Sequence, residues 1–179
     1  MTNQTTNRPA AAPAPAARTG GGRAPAFAGT RATVAGTLTT IVSLLVLAGL
    51  GKATGSLLLI APLAATAMII CASPALPPAQ PRGVLLGQLG SALIGYAAAA
   101  VAGHSLWTAA VAAGLSVGLM GLLRAVHAPA AATAVLVVVQ HPAPVRFLLL
   151  LAAGSVLLIL VGLAASRIGA IGKYPTYWW

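Results

Sequence analysis

The sequence predicts an all-α integral membrane protein: a compact bundle of about six crossings, built as an inverted three-plus-three repeat with two broken or half helices. Three observations carry that expectation. First, 59% of the 179 residues are hydrophobic, 6% are charged, and the mean hydropathy is +0.94. A soluble domain carries roughly 25% charged residues, and here apolar runs near the ~20 residues of a spanning helix recur. Second, Ala128-Pro129-Ala130-Ala131-Ala132-Thr133-Ala134 repeats Ala61-Pro62-Leu63-Ala64-Ala65-Thr66-Ala67 at six of seven positions, 67 residues on (128 − 61). Third, two further blocks echo in the same order. Pro78-Ala79-Gln80-Pro81-Arg82 returns as Pro142-Ala143-Pro144-Val145-Arg146, and Gly90-Ser91-Ala92-Leu93 as Gly154-Ser155-Val156-Leu157, both offset by 64 (142 − 78). A three-residue deletion reconciles the offsets and makes each half a copy of the other.

The elements follow in order. Residues 1–31 form a basic tail rich in Ala, Pro and Gly, with too few large apolar side chains to offset the entropy of ordering. Its acid-free, arginine-containing make-up is shared with organelle transit peptides, but serine is missing, which favours a plain cytoplasmic tail. The transmembrane domain is 32–179, with repeat halves at 34–103 and 107–166. Spans are expected at 34–50, 56–72, 83–102, 108–123 and 147–165, with a shorter apolar segment at 129–139. The proline-rich stretches 73–81 and 140–144 read as loops, because helix interiors exclude proline. The aromatic ending Tyr174-Pro175-Thr176-Tyr177-Trp178-Trp179 suits the headgroup level.

Charge sets orientation. The chain has 10 Lys and Arg and no Asp or Glu, and its cations stand at the ends of apolar runs. That is topology-setting charge, not a nucleic-acid patch. Six crossings place Arg8, Arg18, Arg23, Arg31, Arg82, Arg124, Arg167 and Lys173 on one side and Lys52 and Arg146 on the other. Five crossings, with the short segment folding back, would give seven against three. Both put the N-terminus in the cytoplasm, and a multi-pass protein of the cell (inner) membrane is expected. Cys71 is the one cysteine, so no intrachain disulfide and no cysteine metal cluster can form. No metal or cofactor motif is present.

From Pro62 and from Pro129, each repeated stretch offers about twelve helical residues, or about 18 Å, against a hydrocarbon core of ~30 Å. Proline suits the first turn of a helix. Each copy therefore reads as a non-helical entry followed by a half-helix starting near Ala61-Pro62 or Ala128-Pro129. Inversion would point the two N-termini at one another near mid-membrane, where unpaired N–H groups and positive dipole ends attract an anion. Thr66 and Thr133 could add hydroxyl donors. His127 could donate a hydrogen bond or carry a proton with the anion. Cation and proton pathways commonly use intramembrane carboxylates, and none exists, which leaves a small anion or a neutral solute.

Each residue also has a packing role open to it. Pro62 can kink an ordinary span, the threonines can back-bond within their helices, and His127 can sit at the interface, as His104 and His141 are expected to do. Gln88 is either interhelical glue or pore lining. Arg82 and Arg146 are topology anchors or guides for an entering anion. Gly83/Gly87, Ser91/Gly95 and Gly114/Gly118 have the small-xxx-small spacing of helix packing, within the chain or in a homo-oligomer.

Several of these residues carry a resemblance. Ala72-Ser73-Pro74 with Pro78-Ala79-Gln80-Pro81-Arg82, then Gly87-Gln88-Leu89-Gly90-Ser91-Ala92, then His127-Ala128-Pro129 and Tyr174-Pro175-Thr176-Tyr177-Trp178 resemble the HPP family of integral membrane proteins. The likeness covers everything but the tail. Ala128 replaces the first proline of the namesake His-Pro-Pro, and Gln88 stands where the family often has histidine. The resemblance implies a multi-helix membrane domain and, through plastid and cyanobacterial members, nitrite transport. The leading expectation is a small-anion transporter or channel with the bilayer and the anion as partners, and no nucleic acid. The alternative is a structural or sensory membrane subunit that binds a partner protein. An enzyme is not expected: without Asp or Glu there is no aspartyl dyad or His-Glu metal motif, and Ser91 lacks a G-x-S-x-G context.

Overall fold

The computed structural model describes residues 26–56 and 60–179. Residues 1–25 of the basic tail expected over 1–31, and 57–59 of the second expected span, lie outside the described residues, while Thr30 and Arg31, expected in the tail, already belong to the first helix. Among the described residues the regular structure is helical: α1 (Thr30–Ala53), α2 (Ala61–Ala72), a 3-10 turn (Pro77–Ala79), α3 (Pro81–Ala102), α4 (Leu106–Leu122), α5 (Pro129–Gln140) and α6 (Pro144–Arg167). Of these, α1, α3 and α6 are long and apolar enough to cross a membrane. Large apolar side chains such as Leu45, Val101, Trp107, Leu122 and Leu149 are exposed, as expected where lipid, not water, covers the outside.

Prolines set several boundaries. Pro81 and Pro144, read from sequence as the ends of loops, are the first residues of α3 and α6. Their missing N–H costs nothing at that position, and the fixed φ suits the helix. Pro62 and Pro129 likewise open α2 and α5, so Pro62 starts a helix and does not kink one. Each of these two helices has 12 residues, about 18 Å of rise. Ile60, just before α2, is extended. Ser105 caps α4, accepting from the Thr108 N–H at 3.0 Å.

Helix α3 is the central element, packed against α4, α5 and α6. Close approach to α5 depends on glycine: a Cβ at Gly87 would lie 2.9 Å from His127 Cβ, and one at Gly95 2.9 Å from the Ala134 carbonyl. By contrast, a Cβ at Gly114 or Gly118 would meet nothing within 4 Å. That pair packs α4 against no other helix among the described residues.

Directions follow from the contacts at each end. α2 finishes at the loop that begins α3, whereas α5 finishes at His141, whose ring lies on that of His104 just past α3 (centroids 3.4 Å apart). α2 is therefore antiparallel to α3 and α5 is parallel to it. α6 opposes α3: Tyr96 reaches the Pro142 carbonyl near the start of α6, and Thr176, beyond its end, reaches Gln80 beside the start of α3.

The aromatic ending is divided. Trp178 and Trp179 are exposed, as an interface position requires, but Tyr174 is buried in the main core with Ile70 and Cys71.

Candidate functional site

Four polar side chains converge where α2, α3 and α5 meet. Thr66 lies in the second turn of α2, Gln88 in the second turn of α3, Thr133 one turn into α5, and His127 in the segment leading to α5. All four are fully buried. Gln88 Nε2 donates to Thr66 Oγ1 at 3.0 Å and lies 3.5 Å from His127 Nε2. Thr133 Oγ1 donates to Gln88 Oε1. Thr66 Oγ1 is 2.8 Å from His127 Nε2 and also 2.8 Å from the Pro62 carbonyl. His127 Nδ1 is 2.7 Å from the Pro78 carbonyl.

The protons can be assigned by elimination. A carbonyl oxygen only accepts, so Nδ1 of His127 carries a hydrogen. In the neutral ring Nε2 is then an acceptor, and the single Thr66 hydroxyl hydrogen lies between it and the Pro62 carbonyl, each 2.8 Å away. Thr133 can only donate to Gln88 Oε1 if the amide oxygen faces α5, which turns the amide nitrogen toward Thr66. The quartet thus closes on itself, with each buried polar group paired, as burial demands. Hydroxyl and amide donors face one another here without any carboxylate. If a solute displaced the bonds between them, Thr66, Gln88 and Thr133 would turn those donors onto it.

Of the residues singled out from sequence, Thr66, Gln88, His127 and Thr133 are brought together. Pro62 joins through its carbonyl, and Pro129 is buried at the start of α5. Ala61 and Ala128 are exposed and line nothing in the quartet. One expectation is corrected: the two half-helix N-termini do not meet end to end. Both threonines bond Gln88 while α2 and α5 run in opposite directions. Pro62 and Pro129 therefore lie on opposite sides of the quartet, each about 6 Å of rise away. The short helices pass side by side with overlapping first turns. The start of α5 is also closed by its own turn, Ala130 N–H bonding the His127 carbonyl (2.9 Å) and Ala131 N–H the Ala128 carbonyl (3.2 Å). Hydroxyls and an amide, more than helix ends, make this site.

The two arginines sit at opposite ends of the molecule. Arg82, in the first turn of α3, donates to the Leu123 carbonyl at 2.8 Å. Arg146, in the first turn of α6, donates to Ser56 Oγ at 2.8 Å and the Gly55 carbonyl at 3.3 Å. His104 and His141 are exposed, away from the quartet.

Two participants were not singled out from sequence. Pro78 acts through a backbone carbonyl, which no side-chain pattern reports. Gln80 is fully buried although it lies in a loop. Its Nε2 holds the Pro74 (2.9 Å) and Leu76 (3.0 Å) carbonyls, and its Oε1 accepts from Thr176 N–H at 2.8 Å. A polar residue enclosed by prolines was the available signal.

A family model described as "HPP, transmembrane region" matches residues 25–175. Two curated transmembrane proteins of Dictyostelium discoideum are similar to the chain. One is 30% identical over 132 residues, covering 69% of this chain and 42% of the relative. The other is 31% identical over 129 residues, covering 68% and 45%. The chain thus spans less than half the length of these relatives. No solved structure matches it.

Proposed function

The chain belongs to the HPP transmembrane family, and on that footing we propose that it is a small-anion channel or carrier, with nitrite as the substrate the family resemblance suggests. The observation that carries this reading is the buried Thr66–Gln88–His127–Thr133 quartet, a set of hydrogen-bond donors without a carboxylate, held between two short helices that run in opposite directions. An anion passing between α2 and α5 would exchange the quartet's internal bonds for bonds to itself.

The membrane arrangement belongs to the same proposal. Six crossings, related as two inverted halves, are supported by a 12-residue helix standing between two longer ones in each half, with 24, 12 and 22 residues in α1–α3 and 17, 12 and 24 in α4–α6. Lys52 lies at the same end as Arg146, and Arg31, Arg82, Arg124, Arg167 and Lys173 lie at the other. The positive-inside rule then gives a cytoplasmic N-terminus in the cell membrane. The reading is of a transporter without enzymatic chemistry.

Flux of nitrite, nitrate, formate and chloride into proteoliposomes tests the proposal. Uptake of at least one above empty vesicles, lost in Gln88→Ala, is the expected result; no uptake of any ends this reading. The second reading, a membrane subunit that holds a partner protein or a second copy, draws on α4, where Gly114 and Gly118 meet nothing else among the described residues. Crosslinking in the bilayer through a cysteine placed at position 114 separates the two readings.

A further inference from the structure

At the end of the molecule opposite Arg82, Gly55, Ser56 and Ile60, the end of α5 and the start of α6 line an open pocket of about 280 Å³. Its polar wall is Ser56, Gln140 and Arg146, and its apolar wall includes Ile60, Leu136 and Phe147. The Arg146 guanidinium is held in place by Ser56 Oγ and the Gly55 carbonyl through one terminal nitrogen. A guanidinium has five N–H donors in a planar fork, which matches a planar oxyanion in a way an ammonium does not. The chain has no Asp or Glu, so no side-chain carboxylate of its own can neutralise Arg146.

The cavity also stands in a defined place relative to the quartet. Ile60 is the residue before α2, and Leu136 lies one turn beyond Thr133 on α5. The cavity thus borders the start of α2 and the second half of α5, the two short helices that carry Thr66 and Thr133.

We propose that this cavity is a second anion-binding site, an outer capture site for a small planar oxyanion such as nitrite, nitrate or formate. Arg146 holds the anion as a fork, Ser56 orients the guanidinium and Gln140 supplies a further hydrogen-bonding wall. Ile60 and Leu136 form an apolar neck that separates the captured anion from the quartet. The inference deepens the transport reading and rests on it for its direction of travel, but occupancy of the cavity can be measured without transport.

The experiment uses the full chain, as wild type, Arg146→Gln, Arg146→Lys and Gln88→Ala, with nitrite, nitrate and chloride as probes. Thermal unfolding first establishes that each variant is folded. Flux into proteoliposomes is expected to show Arg146→Gln raising the half-saturating nitrite and nitrate concentrations by about tenfold or more, a larger change than in the maximal rate. Arg146→Lys should recover chloride saturation better than oxyanion saturation, because it restores charge without the fork. A wild-type half-saturation in Arg146→Gln, with flux abolished in Gln88→Ala, overturns the capture site and leaves the transport reading standing. If the wild type carries none of the anions, equilibrium binding of nitrite to detergent-solubilised protein decides. Binding lost in Arg146→Gln supports the capture site, while binding equal in the two proteins, or none in either, overturns it.

Discussion

The Nδ1 atom of His127 lies 2.7 Å from the carbonyl oxygen of Pro78, joining two loops that are 49 residues apart in sequence. One of those loops starts α3 and the other leads into α5, so a single hydrogen bond fixes the ring that meets Thr66 and Gln88.

Thr66→Val keeps the shape of the side chain and removes its hydrogen bonding. The Gln88 amide then loses an acceptor, and His127 Nε2 and the Pro62 carbonyl lose the hydroxyl beside them. Stability should fall by about 1–3 kcal/mol, and anion flux should disappear. Thr66→Ser should restore both. Thermal unfolding and proteoliposome flux measure the pair, and a valine variant equal to wild type would remove the quartet from the mechanism.

Gly95→Ala tests the contact between α3 and α5. The added methyl would lie 2.9 Å from the Ala134 carbonyl and 3.0 Å from Val137 Cβ. Backbone cannot give way as a flexible side chain can, so a loss of about 1–3 kcal/mol is expected. Gly114→Ala meets nothing within 4 Å and gains helix propensity over glycine, so it should leave the monomer as stable or slightly more so. Unfolding of the two variants side by side checks the contrast.

Gln88→Leu keeps most of the side chain's bulk and removes both its amide donor and its acceptor. Thr133 then loses the acceptor of its hydroxyl, and Thr66 loses the amide hydrogen it receives. Nitrate flux into proteoliposomes should fall by about tenfold or more while thermal unfolding shows the variant still folded. A folded variant with wild-type flux would show that position 88 does not face the solute.

Gln80→Leu removes the amide that binds Thr176 to the loop between α2 and α3. Amide hydrogens of residues 174–179 should then exchange faster, and overall stability should drop by about 1–3 kcal/mol as the Pro74 and Leu76 carbonyls lose their donor. Unchanged exchange in that segment would mean that burial of Tyr174, and not Gln80, holds it.

The sequence carried a large part of this architecture. Pro62 and Pro129 mark the starts of two 12-residue helices because proline is tolerated at a first turn and little else inside a helix. Thr66, Gln88, His127 and Thr133 each stood out as polar residues in apolar surroundings. Their meeting point was not legible, since it depends on how far α2 and α5 slide past one another. That sliding is set by contacts such as Gly87 against His127, which are distant in sequence. The facing N-termini were inferred from inversion alone, and inversion fixes direction without fixing offset. Burial of Tyr174 was not legible for a related reason. A tyrosine in an aromatic ending looks interfacial until a fold encloses it, and nothing in the sequence around Gln80 shows which backbone groups its amide will meet.

The bonds to His127 bear on the energetics of passage. Pro78 accepts the Nδ1 proton, and Thr66 and Gln88 crowd Nε2, so both ring nitrogens are engaged while the quartet is closed. A monoanion that crossed without a bond to the ring would carry its charge alone, and membrane voltage would act on it at about 2.3 kcal/mol per 100 mV.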